Sequence, residues 1–129
     1  MKGKLVHLEL PADDTARART FWGELCGWKF QSWEGPIEYH MFEGEPGGAI
    51  YPAQADERGP IVYFETNDID KEIARIRQLG GNADDKAPIP GVGWYARCRD
   101  TEGNSFSLYE NDESVPMPEG AAATTAART

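Results

Sequence analysis

Short stretches of alternating apolar and polar residues are the main pattern along this chain. In residues 5–10, Val6, Leu8 and Leu10 alternate with His7 and Glu9, which predicts a strand with one apolar face. The same reasoning, with turn residues as boundaries, predicts further strands over residues 28–33, 37–42, 49–51, 61–65, 94–99 and 105–109.

Two stretches have the helical period instead. The apolar face of the first consists of Ala18, Phe21, Trp22 and Leu25. The apolar face of the second consists of Ile69, Ile73, Ile76 and Leu79. Asp13 or Asp14 can cap the first helix and Asp68 the second, while Gly27 and Gly80-Gly81 suit their ends. We expect both apolar faces to be buried, with Phe21, Trp22 and Phe106 in the core.

The two halves of the chain resemble each other. Ile61 follows His7 by the same number of residues as Gly81 follows Gly27, so strand and helix recur together. This predicts an α+β fold of two βαβββ modules, residues 4–52 and 60–110, within one domain over residues 1–110. Residues 111–129 are acidic and then rich in Ala and Thr, which favours a flexible tail or docking arm.

Composition narrows the functional classes. With 129 residues the chain is one domain, and its formal net charge of −9 argues against nucleic acid or anionic membrane as a partner. Cys26 and Cys98 form no disulfide framework, which favours free thiols in a reducing compartment. No apolar run is long enough to cross a bilayer, so a cytoplasmic location is expected.

The sequence also resembles a known superfamily. The paired units, the helix end Leu25-Cys26-Gly27-Trp28 and the turn Asp100-Thr101-Glu102-Gly103-Asn104 are similar to the glyoxalase/bleomycin-resistance/extradiol-dioxygenase (vicinal-oxygen-chelate) superfamily. The resemblance covers about residues 4–110. It implies two half-barrels around a cavity that binds a small molecule, and often a homodimer. It does not define an activity, because the superfamily contains lyases, epimerases, dioxygenases and antibiotic-sequestering proteins.

The resemblance also implies where metal ligands would lie. In metal-dependent members four ligands come from the first and last strands of each module. Here those positions fall on His7, a residue near 48–51, Ile61 and Ser107, and only His7 is a typical ligand. Because metal sites need three or four N, O or S ligands, we predict no metal and no other cofactor. An alternative set of His7, Glu9 and Glu65 stays open, although the spacing does not require it.

The alternation predicts which side chains face the cavity. Helices are expected to cover the side with Val6, Leu8, Leu10, Val62, Phe64, Phe106 and Leu108. The cavity side then receives His7, Glu9, Ile61, Tyr63, Glu65, Ser105, Ser107 and Tyr109. Glu9 and Glu65 are the candidate catalytic residues, since a desolvated carboxyl can serve as a general acid or base.

The candidate substrate-binding residues are His7, Tyr63, Trp94, Ser107 and Tyr109. Trp94 follows a Gly-rich segment that can form a lid or a dimer contact. The inward polar side chains can equally form a structural network. Three functions stay open at this point: a metal-independent lyase or isomerase, a protein that sequesters an antibiotic or metabolite, and a metal-dependent lyase or dioxygenase with non-standard ligands.

Overall fold

The computed structural model describes residues 1–116, which form a curled sheet with two helices on one face. The elements in chain order are β1 (Leu5–Ala12), α1 (Thr15–Cys26), β2 (Phe30–Ser32), β3 (His40–Phe42), β4 (Gly48–Pro52), β5 (Ile61–Glu65), α2 (Ile69–Gln78), β6 (Asn82–Ala83), β7 (Ala87–Ile89), β8 (Gly93–Arg99) and β9 (Ser105–Asn111). The strand order is β2-β3-β4-β1-β5-β9-β8-β6, and β7 pairs with β8. The predicted α+β class is confirmed.

The register of the central strands aligns four polar side chains. His7 on β1 lies opposite Tyr63 on β5, and Tyr63 lies beside Ser107 on the parallel strand β9. Ser107 in turn lies opposite Arg97 on β8. Because residues paired across a sheet point to the same face, these four side chains form one row across the middle of the sheet.

Helix α1 has the predicted caps but not the predicted burial. Asp14 accepts a hydrogen bond from the Arg17 N–H at 3.0 Å, and Gly27 ends the helix at φ 74°. Phe21, however, is 57% exposed and Leu25 is 66% exposed, so the predicted burial of both side chains, and of Phe21 in the core, was wrong. Trp22 is half-buried and stacks on Trp28. Phe21 is the preceding residue, and because consecutive residues are about 100° apart around a helix, its side chain points in another direction.

Helix α2 supplies the main apolar core. Its cap, Asp68, accepts from the Lys71 N–H at 3.1 Å. Ile69 and Ile73 are buried against β8 and β9, where Phe106 joins them as predicted. Leu79 is 63% exposed, contrary to the prediction, because it is the capping residue at the very end of the helix.

Several boundaries also differ from the sequence prediction. Pro11 does not end β1, which pairs in parallel with β4 as far as Ala12. Residues 82–83 and 87–89 form short strands against β8 where no strand was predicted.

The ordered packing continues beyond residue 110. Strand β9 ends at Asn111, and Val115 is buried, with its carbonyl accepting from the Gly91 N–H at 2.9 Å. The rest of the predicted tail, residues 117–129, lies outside the described residues. Neither of the two helices within residues 1–116 is long and apolar enough to cross a membrane.

Candidate functional site

A cavity of about 680 Å³ lies against the sheet face opposite the helices. Its walls are mainly aromatic and aliphatic, and include Trp33, Ile37, Tyr51, Ile89, Val92 and Tyr95. A few polar and charged groups converge at its base. Such a volume and composition are typical of small-molecule sites, in which apolar walls provide affinity and a few polar groups provide orientation.

The guanidinium of Arg97 is the centre of the polar base. Its Nη2 donates to Glu9 Oε1 at 2.9 Å, and its Nη1 donates to Ser107 Oγ at 2.7 Å and to Tyr63 Oη at 3.1 Å. Glu9 and Ser107 are buried, whereas the Arg97 side chain is 30% exposed. Arg97 therefore connects β1, β5, β8 and β9 through one charged group.

Glu9 also begins a hydrogen-bonded chain in the other direction. Its Oε2 accepts from the Tyr39 hydroxyl at 2.7 Å, and Tyr39 Oη lies 2.7 Å from His7 Nε2. A separate pair lies nearby, in which Tyr51 donates to Glu57 Oε2 at 2.6 Å. That same Glu57 oxygen lies 3.8 Å from Arg97 Nη2.

Burial and nearby charge set the ionisation of the site. Burial and the Glu9 carboxylate raise the pKa of Tyr39 and of Tyr63 far above the usual value for a phenol. Burial lowers the pKa of Arg97, but Tyr63 and Glu9 outweigh this effect and raise it overall. Burial lowers the pKa of His7 below 6.5, against the opposing effect of Glu9 and with a contribution from Arg97. At neutral pH the phenols and the imidazole are therefore uncharged, and Arg97 is a cation.

The structure brings five of the seven predicted site residues together. His7, Glu9, Tyr63 and Tyr109 line the cavity, and Ser107 lies beneath them against Arg97. Val6 also lines the cavity, although the alternation placed it on the helix side. The reason is a register shift between Leu5 and His7 in the pairing of β1 with β5.

Two predicted residues do not line the cavity. Glu65 lies at the end of β5, where its side chain is 41% exposed and 3.8 Å from the Lys4 ammonium. Trp94 packs with the α2 core, and its indole N–H donates to Asp112 at 3.2 Å. Because Tyr95 and Arg97 face the cavity, alternation along β8 directs Trp94 and Cys98 to the other face. Burial there raises the pKa of the Cys98 thiol to about 11.

Three functional candidates were missed by the sequence reasoning. Arg97 could have been found by extending the alternation along residues 94–99, which places it on the same face as Tyr95. Tyr39 falls within the strand predicted over residues 37–42, but β3 begins only at His40, so alternation did not show where its side chain points. Glu57 comes from the irregular segment before β5. Their position depends on how the chain before β3 and before β5 crosses the sheet.

The residues at the base of the cavity do not fit the divalent metal that the metal-dependent members of the similar superfamily bind. Within residues 1–116, no three His, Cys, Asp or Glu side chains are grouped so as to hold an ion, which excludes the alternative set with Glu65 there. Arg97 contacts Ser107, which is one of the expected ligand positions, and Glu9, which belongs to the alternative set. A guanidinium has no lone pair to donate and repels a divalent cation. The side chains at the base of the cavity thus support a metal-independent site, and the absence of a metal stays a prediction.

The lowered pKa of His7 makes folding stability depend on pH. Since the unfolded imidazole binds a proton near pH 6.5 and the folded one only at lower pH, acid favours the unfolded state. We expect the stabilising contribution to be complete above pH 6.5 and lost as the pH falls through the folded value. Urea unfolding at pH 8 and about pH 5 should show a smaller acid loss for His7→Gln than for the wild type. Equal losses in the two proteins would contradict this assignment.

Comparison with known proteins gives three kinds of likeness. The family model of bleomycin resistance protein-like N-terminal domains matches residues 4–45. A glyoxylase-like domain-containing protein of Didymella fabae is 27% identical, over 84% of this chain and 94% of its own length. A hypothetical protein of Bacillus halodurans has a TM-score of 0.69 at 14% identity, covering 88% of this chain and 98% of that one.

Methylmalonyl-CoA epimerase from Mycobacterium tuberculosis has a TM-score of 0.63 at 17% identity, covering 93% of this chain and 92% of that one. At such identities the structural likeness shows the fold and not the activity. The shared fold, the family-model match over residues 4–45 and the glyoxylase-like relative support the similarity to the glyoxalase/bleomycin-resistance/extradiol-dioxygenase, or vicinal-oxygen-chelate, superfamily that the sequence predicted.

Proposed function

We propose that this protein binds a small aromatic molecule in the cavity without the help of a metal. The observation that carries the proposal is the completed hydrogen bonding of Glu9, whose two oxygens accept from Arg97 and Tyr39 respectively. Because the Glu9 side chain is already fixed before any ligand enters, binding loses little of its side-chain entropy. The walls supply stacking surface from Trp33 and the cavity tyrosines.

The charges around the cavity favour a cationic or neutral ligand. Arg97 pairs with Glu9 at 2.9 Å and more distantly with Glu57 at 3.8 Å, so two carboxylates share one guanidinium. The phenols and His7 are uncharged at neutral pH. Aromatic walls together with one excess negative charge favour an aromatic molecule that carries an ammonium group. The same negative charge disfavours an anion such as methylmalonyl-CoA, the compound that appears in the name of the structural neighbour.

A metal-independent lyase or isomerase is the second candidate. Glu9 lies buried at the base of the cavity, where a carboxylate could exchange a proton with a bound molecule. Its ion pair with Arg97 weighs against this role, because a proton taken up by Glu9 would remove the negative charge that pairs with the guanidinium. We therefore place binding ahead of turnover, with Glu65 removed from the catalytic candidates.

The charge argument can be tested with two probes that share one ring. Tyramine and para-hydroxyphenylacetate both carry a phenol, but one ends in an ammonium and the other in a carboxylate. We expect tyramine to bind at least about tenfold more tightly, measured by calorimetry and by quenching of tryptophan fluorescence. Glu57→Gln should remove most of this preference. Mass spectrometry of the recovered probes shows whether either is chemically changed.

Glu65→Gln is the matched control, since it removes the same charge outside the cavity. It should leave the affinity for tyramine unchanged. Equal binding of the two probes, or no binding of either at millimolar concentration, would contradict the proposed preference for an aromatic cation.

Self-association and location also remain proposals. Phe21 and Leu25 present exposed apolar surface on α1, which is compatible with the predicted homodimer. The predicted cytoplasmic location is supported by the two unpaired cysteines, Cys26 and Cys98.

A further inference from the structure

The hydrogen-bonded chain from Glu9 to His7 has a definite direction. Arg97 has only donors, and its ion pair at 2.9 Å leaves the Glu9 carboxylate as an acceptor at both oxygens. Tyr39 has one hydroxyl hydrogen, which is donated to Glu9 Oε2 at 2.7 Å. Toward His7, Tyr39 Oη can therefore only accept.

This direction determines the tautomer of His7. The Nε2 atom lies 2.7 Å from Tyr39 Oη and must carry the hydrogen that this contact needs. A neutral imidazole has one N–H, so Nδ1 keeps its lone pair. The Tyr63 ring packs edge-to-face on the imidazole at 5.2 Å between centroids and restricts its rotation.

The Nδ1 atom is open to the cavity. His7 lines the cavity, and its hydrogen bond within residues 1–116 is made through Nε2. The sole buried side-chain nitrogen or oxygen without a partner in that part of the chain is Nε of Arg19, so Nδ1 is not sealed inside the protein. A lone pair held in a fixed direction in a largely apolar cavity is a selective acceptor.

We propose that Glu9 and Tyr39 hold His7 in its Nε2–H tautomer, which makes Nδ1 a permanent acceptor that selects ligands with an O–H or N–H donor. This inference deepens the proposed binding function and rests on it for the choice of ligand. Tyr39 and Glu9 are positioning residues, because they act on the ligand through His7. A ligand without a donor would leave Nδ1 unpaired after water is expelled, which lowers affinity.

The tautomer can be read directly by NMR, without any ligand. The chain has two histidines, so ¹⁵N labelling of histidine and a His40→Gln variant assign the His7 signals. At pH 8 we expect wild-type His7 as the Nε2–H form alone. Tyr39→Phe keeps the ring and removes the acceptor, so a mixture of tautomers should appear. In Glu9→Gln, the Tyr39 hydroxyl is free to donate to Nε2, which should increase the Nδ1–H form.

An Nδ1–H form or an imidazolium as the main wild-type species would overturn the proposal, as would unchanged spectra in both variants. The groups that contact His7 or change its pKa are Glu9, Tyr39, Tyr63 and Arg97. Because this readout needs no ligand, its failure is distinct from a failure of tyramine to bind.

The selection itself is tested with O-methyltyramine, whose ammonium can bind beside Glu57 as that of tyramine does, but which lacks the phenolic hydrogen that would be donated to His7 Nδ1. We expect it to bind wild-type protein about tenfold more weakly than tyramine, as a lost hydrogen bond to an unpaired acceptor implies. In His7→Phe the two probes should bind alike. Equal affinities in the wild type would refute the selection.

Discussion

Replacing Arg97 by Met is expected to cause a large loss of stability. The substitution removes the donor to Glu9, Ser107 and Tyr63 at once and leaves the buried Glu9 carboxylate without its ion pair. Breaking a buried pair on one side costs about 3–5 kcal/mol, and since Arg97 is 30% exposed we expect about 3 kcal/mol. The free energy of unfolding from urea titration at pH 7.5 measures it.

The control for Arg97→Met is Arg99→Met on the same strand. Arg99 is exposed and donates to the Gly103 carbonyl at 3.1 Å, so its loss should change stability by about 0.5 kcal/mol or less. Adding Glu9→Gln to Arg97→Met should recover part of the loss, because the unpaired charge is then removed. A double variant as unstable as the sum of the two single variants would show that the pair is not coupled.

Leu108→Ala is expected to have a comparable effect through packing alone. Leu108 is 0% exposed; it lies on β9 and packs with Ile69 and Ile73 of α2. Truncating a fully buried leucine costs about 3–5 kcal/mol, because the cavity left behind closes only in part. Thermal and urea unfolding should both show the loss. Since Ser107 and Tyr109 flank Leu108, we also expect weaker binding of tyramine.

Leu79→Ala is the matched control on α2. It removes the same atoms from a side chain that is 63% exposed, so the expected change is within about 0.5 kcal/mol. The helical period alone places Leu79 on the buried face, and a large effect there would favour that original assignment. The contrast between the two leucines thus tests the packing of α2 directly.

The expected metal-ligand positions of this chain carry few side chains that can bind a divalent ion. By the resemblance, the metal-ligand positions of the metal-dependent members fall here on His7, a residue near 48–51, Ile61 and Ser107. Arg97 places a fixed positive charge among them through its contacts to Glu9 and Ser107. A guanidinium can orient oxygen atoms by hydrogen bonds, but it cannot exchange ligands as an ion does. This difference is the reason to expect recognition ahead of metal chemistry.

Much of the site followed from periodicity in the sequence. The alternation in residues 5–10 correctly grouped His7 with Glu9, and that in residues 61–65 correctly turned Tyr63 inward. It failed at Val6, where a register shift breaks the period of two, and at Glu65, where the strand ends. Local pattern indicates a face only while the strand stays regular.

By itself, the sequence determined the α+β class, the caps at Asp68 and at Asp13 or Asp14, and the apolar surface that α2 buries through Ile69 and Ile73. These features depend on neighbours within a few residues along the chain. The tertiary structure alone decided that Arg97 meets Glu9 and that Tyr39 joins Glu9 to His7. Those contacts link residues far apart in sequence, and their geometry comes from strand register and loop path, which no local periodicity encodes.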